Sequence, residues 1–209
     1  MSKSLAKNRF KSILDRAFDR LFDIYLIKCF LSDPSLKNVN LAGFKAFRYD
    51  DPNFDKCLQA YQESKGENHF TETSTIKDLD DAITGWYSNN SKLTPEFKNE
   101  FKENKLISES DFIKFYAEDE VDRSCAYCKV KESEISSLID SKKIHTKRLA
   151  TRGRFVEVDR IKPNEGYVKG NLALSCYWCN NAKTDEFNAE EFKPIGEAIG
   201  KVLRSKMKK

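Results

Sequence analysis

Residues 154–183, RFVEVDRIKPNEGYVKGNLALSCYWCNNAK, carry the reading that decides the fold of this chain. From Arg154 to Ile161 the residues are rich in β-formers and alternate in character, which predicts a strand. Pro163-Asn-Glu-Gly166 is a turn, and a second short strand ends at Asn171-Leu-Ala-Leu174. Cys176 and Cys179 follow at once, and helical signals resume at Asn180. The order is strand, turn, strand, cysteine pair, helix.

A second Cys-x-x-Cys pair, Cys125 and Cys128, lies upstream, with forty-seven residues between the two pairs. Two thiolates separated by two residues can grip one tetrahedral ion from a tight turn, and a second pair completes a four-sulfur shell. A structural Zn²⁺ is therefore expected, tying together the ends of a substructure much larger than a small finger. The alternative is a redox disulfide or four unrelated buried thiols. Two pairs with equal spacing, each followed by polar turn-like residues, favour the ion. Cys29 and Cys57 sit in apolar helical contexts and read as core.

The 209 residues suffice for one large or two small domains, and the composition, 39% hydrophobic and 33% charged, is that of a soluble globular chain. No run approaches the roughly 20 apolar residues of a membrane span, and MSKSLAKNRF has no signal-peptide core. An intracellular, cytoplasmic protein is expected, a setting in which paired thiols favour metal over disulfide. The net charge of +4 is distributed unevenly. Lys142, Lys143, Lys147, Arg148, Arg152 and Arg154 form a basic run without an acidic member, next to the predicted strand. Glu118, Asp119, Glu120 and Asp122 form an acidic knot before Cys125. A basic run is commonly just a solvated surface, but its place beside the strand points to a nucleic-acid partner.

The first hundred or so residues read as helical. Phe10, Ile13, Leu14, Ala17, Phe18, Leu21, Phe22 and Tyr25 recur at three and four, making a stripe on a long helix from Leu5 to Leu31 that ends at Asp33-Pro34. Shorter helices are expected from Phe54 to near Gly66, after Ser74 or Thr75, from Thr94-Pro95, and from Ser108 through Tyr116. A further helix spans Lys131 to Ile139. The fold class is α+β: a helical domain over 1–118, selecting substrate or partner, then a zinc-held module over 119–209.

That module, over about residues 125–187, resembles the HNH, or ββα-metal, nuclease family. Asp159 falls at the acidic position of the first strand, Pro163 and Gly166 supply the turn, Asn171 lies five residues before Cys176, and Asn180 directly follows Cys179. The resemblance implies a phosphodiester hydrolase acting on DNA, double-stranded by preference, in a bacterial or phage setting such as defence, restriction or mobile elements. It implies one catalytic Mg²⁺ or Mn²⁺ held by Asp159 and Asn180, with open positions for phosphate and water. Asn171 would brace the hairpin. The basic run and Lys183 would meet DNA phosphates without reading sequence.

One position departs from the pattern. Where the family carries its general-base histidine, this chain has Arg160, which stays protonated and cannot accept a proton. Subgroups of the family carry an acidic–arginine pair here, and Arg160 could stabilise charge on the phosphate. His145, Glu157 and Tyr167 are candidate bases; Glu157, two residues before Asp159, shares its strand face. Tyr177 and Trp178 read as packing groups, and the basic tail from Lys201 to Lys209 reads as added DNA affinity or a frayed end. Two rival readings stand beside the endonuclease: a zinc-stabilised nucleic-acid-binding module without hydrolysis, and a partner-binding component of a defence system defined by its helical domain. For the endonuclease, cutting both strands from a one-metal site would call for two copies, a homodimer, and the helical domain could instead take a protein partner.

Overall fold

The computed structural model describes residues 2–65, 74–117, 122–146 and 152–208. His69, Lys147, Arg148 and the acidic residues 118–120 lie outside the described residues. The contacts divide the chain into two units: residues 11–108, and residues 1–10 together with 109–209.

The first of these units is helical: α1 (Ser2–Ser32), whose first residues belong to the other unit, then α2 (Leu41–Ala46), α3 (Phe54–Lys65), α4 (Ser74–Asn89) and α5 (Thr94–Asn104). The predicted stripe on α1 delivers Phe18 and Phe22 into an aromatic core with Phe44, Trp86, Phe97 and Phe101. The Phe22 ring lies 4.7 Å from Phe97, tilted, and 5.2 Å from Trp86, edge to face, measured between ring centroids. Helix α2 escapes a periodicity search because it is six residues long. It forms because Asn40 Oδ1 accepts the Gly43 N–H at 2.8 Å and Phe44 anchors the turn in the core. Cys29 and Cys57 are buried here. Lys105 is also buried; its ammonium donates to the Phe47 and Lys45 carbonyls, and burial together with nearby Arg48 pushes its pKa down to about 8.

The second unit contains α6 (Glu109–Ala117), α7 (Glu132–Asp140), β1 (Glu157–Arg160), a 3-10 turn (Pro163–Glu165), β2 (Leu172–Ser175), α8 (Tyr177–Lys183) and α9 (Ala189–Met207). Helix α6, read from sequence as the end of the helical region, groups with this unit; its Tyr116 hydroxyl donates to Val156 O at 2.8 Å. The strands pair antiparallel, with Glu157 opposite Ser175 and Arg160 opposite Leu172. β1 is shorter than the predicted Arg154–Ile161. Side chains have taken both backbone groups of Val156, its N–H by Glu132 Oε1 at 2.6 Å and its carbonyl by Tyr116, so the ladder starts one residue later.

Over residues 201–207 the basic tail is helical, the end of α9, which is capped at its start by Asn188 and Glu191 in a reciprocal capping box. Gly196 and Gly200, one turn apart, let the α9 backbone lie directly on the first cysteine turn. A Cβ at Gly200 would stand 2.5 Å from the Cys128 carbonyl oxygen, and Arg204 donates to that same oxygen at 3.0 Å. Gly200→Ala should therefore lower the stability of this unit by about 1–3 kcal/mol, the usual cost of overpacking. Thermal melts would test this; an unchanged midpoint would show that α9 can lift from the turn without loss.

Candidate active site

The four cysteines converge from two ends of the module. Cys125 and Cys128 flank a tight turn in which the Cys125 N–H donates to Val130 O and the Lys129 N–H donates to Cys125 O, each at 3.0 Å. Lys129 takes the left-handed conformation, φ 60°. Cys176 is the N-cap of α8, and its sulfur accepts the Cys179 N–H at 3.5 Å. The Ala126 N–H donates to Leu174 O at 2.7 Å and links the first turn to β2. All four side chains are buried and their Sγ atoms lie within 4.8 Å of one another. The Cys128–Cys176 sulfur separation is 3.6 Å, close to the edge of about 3.8 Å expected of a tetrahedron with Zn–S bonds near 2.3 Å. Four thiols this close do not ionise together unaided. Hydrogen bonds from Cys128, Cys176 and Cys179 hold the Cys125 thiol far below its ordinary pKa, while hydrogen bonding with Cys125, Cys128 and Cys176 pushes Cys179 far above it. A divalent cation removes that conflict by favouring the thiolate at every position, so the donor set fits zinc.

The hairpin sets the acidic residues of β1 against α8. Asn180 and Lys183 are three apart on α8 and so share a face; Asn180 meets Glu157 and Lys183 meets Asp159. Asp159, 7% exposed, accepts the Tyr127 hydroxyl at 2.5 Å and pairs with Lys183 Nζ at 3.1 Å, both on Oδ2. Burial and the neighbouring carboxylate push the Tyr127 phenol well above its ordinary pKa, which keeps it a donor. Glu157, 4% exposed, accepts from Arg152 through both oxygens and from Asn180 Nδ2 at 2.6 Å. Burial alone would raise its pKa, but the hydrogen bonds from Arg152 and Asn180 outweigh it and hold the carboxyl below its usual range.

Asn171 fastens the hairpin turn: Nδ2 donates to Lys162 O at 2.9 Å and Gly166 O at 2.8 Å, and Oδ1 accepts the Lys162 N–H at 2.8 Å. Arg160 is also enclosed. Its terminal nitrogens donate to Pro163 O and Asp185, and its guanidinium lies 5.2 Å from the Tyr167 ring centroid. His145 is exposed, in the segment after α7. Among the described residues, the four cysteines are the one cluster of three or more His, Cys, Asp or Glu side chains able to hold an ion.

The basic residues divide into two classes that the sequence did not distinguish. Lys142 and Lys143 are exposed, and Arg154 is surface-lying and paired with Asp140 at 2.7 Å. Lys183 leaves the phosphate-facing set. It is 0% exposed, with its ammonium on Asp159 and on Arg160 O at 2.8 Å. Arg152 likewise turns inward, over the Tyr177 ring and onto Glu157. Trp178 packs on the module core.

No protein-family model matches this chain, and no curated protein does. Among solved structures, the rare-cutting HNH restriction endonuclease PacI aligns with 28% identity and a TM-score of 0.40, over 58% of this chain and 79% of that one. Among the described residues, no helix is long and apolar enough to cross a membrane.

Proposed function

We propose that this protein is a metal-dependent DNA endonuclease of the HNH kind, with one structural Zn²⁺ on the four cysteines and one catalytic Mg²⁺ or Mn²⁺ held by Asp159 and Asn180. The observation that carries this reading is the hairpin and helix built on a four-cysteine cluster, with Asp159 on β1 and Asn180 in the first turns of α8. Two oxygen donors suit Mg²⁺, which keeps several waters and takes its remaining contacts from phosphate. Tyr127 and Lys183 both engage Oδ2 of Asp159, and Oδ1 is the oxygen these contacts leave for the ion. When bound, the ion would polarise the scissile phosphate and offset developing charge. Lys142, Lys143 and Arg154, with Lys147 and Arg148, would hold the DNA backbone nonspecifically. Arg160 braces the turn in this reading, and both Glu157 oxygens are engaged, so the general base falls to His145 or Tyr167. The helical unit would select substrate or partner, and a second copy of the chain would supply the other cut of a duplex.

The test is cleavage of supercoiled plasmid by purified protein with Mg²⁺ or Mn²⁺, against EDTA and Asp159→Asn. Either asparagine or alanine removes the counter-charge of the buried Lys183 ammonium, so asparagine, which keeps an oxygen to accept from it, is used and its rate is compared only for protein shown to be folded and zinc-loaded. The variant should cut about 10³-fold more slowly, because the ion supplies several kcal/mol and each 1.36 kcal/mol is tenfold. One observation favours a second reading, a nucleic-acid-binding module without hydrolysis: the strand position of the usual base is an arginine with its nitrogens already engaged. Zinc-loaded protein that binds DNA and does not cut it under any divalent ion would establish that reading instead.

A further inference from the structure

An amide has two ends, and Asn180 can serve a cation only through Oδ1. Which end faces the ion is decided by what the other end touches. Here Nδ2 donates to Glu157 Oε2 at 2.6 Å. The same carboxylate is gripped by Arg152, whose Nε donates to Oε1 at 2.7 Å and whose terminal nitrogen donates to Oε2. Arg152 is held in its turn. Its guanidinium lies 5.2 Å from the Tyr177 ring centroid, its carbonyl accepts the Thr146 hydroxyl at 3.2 Å, and Gly153 follows with φ 115°, a conformation that suits glycine. The fork places a donor on each oxygen of Glu157, so the carboxylate meets Asn180 as an acceptor and faces the Nδ2 end of the amide, not the other.

We propose that Glu157 is a positioning residue: clamped by Arg152, it fixes the Asn180 amide so that its oxygen is the end presented to the divalent ion. The assignment rests on the endonuclease reading above and replaces the base role that the strand position of Glu157 suggested. The relay Arg152–Glu157–Asn180 acts on the ion solely through the orientation of one amide.

Binding of Mn²⁺ to the zinc-loaded full-length protein, measured by calorimetry and electron paramagnetic resonance, reads this without any turnover. Glu157→Gln should weaken Mn²⁺ binding by about 10- to 100-fold, the usual cost of losing a group that orients a ligand, with zinc content unchanged. A neutral amide partner both donates and accepts, so it no longer dictates which end of Asn180 it meets. Asn180→Asp supplies the control: a carboxylate offers an oxygen at either end, so Glu157→Gln should not weaken Mn²⁺ binding in the Asn180→Asp background, whereas a merely structural loss at Glu157 would weaken it in both backgrounds alike. Arg152→Lys keeps the charge, loses the fork and should fall between; it carries the test if Glu157→Gln does not retain zinc. Unchanged Mn²⁺ affinity in Glu157→Gln and Arg152→Lys overturns the positioning role and leaves the endonuclease reading standing. Wild-type protein that binds no Mn²⁺ and cuts no DNA overturns both.

Discussion

Cys176→Ser should release the zinc and melt the second unit, while the helical signal of residues 11–108 persists. Cys176 carries this weight because it belongs to two structures at once. It caps α8, and its sulfur lies 3.6 Å from Cys128 on the turn that α9 covers. Apart from the sulfur cluster, the core of the unit is modest in size, built on Tyr127, Val130, Ile135, Leu138, Phe192 and Leu203. A structural zinc supplies about 10–16 kcal/mol of folding free energy, and a whole domain has a net stability of about 5–15 kcal/mol. The ion is therefore worth about as much as the whole margin by which the unit folds. Metal analysis on the purified protein, with circular dichroism before and after chelation, checks this. Protein that carries no zinc and ignores the chelator would mean four buried thiols packed as small hydrophobes. Cys176→Ser would then cost no more than an ordinary core substitution.

Lys183→Met should be the most destabilising single change outside the cysteines. The Lys183 ammonium has no access to solvent and neutralises Asp159, which is itself buried. Removing one partner of a buried pair leaves an uncompensated charge and costs about 3–5 kcal/mol, whereas an exposed pair is worth about 0–1 kcal/mol. The double variant Lys183→Met/Asp159→Asn should recover a large part of the loss, because removing both charges is far less costly than stranding one. Denaturant unfolding of the four proteins in the cycle measures the coupling. A single-variant loss under about 1 kcal/mol would show that the ammonium reaches water and is available to phosphate after all.

Much of the framework is legible in the chain because its signals are local. The stripe from Phe10 to Tyr25 becomes the buried face of α1, and the runs from Phe54, Ser74 and Thr94 become α3, α4 and α5. Pro163 and Gly166 bracket the hairpin turn, and two Cys-x-x-Cys pairs meet as one cluster. Where the reading slipped, a distant group had intervened. β1 begins late because Glu132 and Tyr116 take the Val156 backbone, and the basic tail is helical because Gly196 and Gly200 let it dock on the Tyr127–Cys128 turn.

The roles of the charged residues were not local in this sense. By itself the sequence determined the long periodic helices, the hairpin and the sulfur cluster, since periodicity, turn chemistry and ligand spacing act within a few residues along the chain. Whether a lysine meets phosphate or an aspartate depends instead on which element covers it. Lys142 and Lys183 look alike in the chain, and packing α8 on β1 leaves the first in water and buries the second on Asp159. The same packing gives Glu157 an arginine on one side and an amide on the other. Only the tertiary structure decided these pairings, because the cost of burying a charge without a partner selects them, and that cost exists only once the layers have closed.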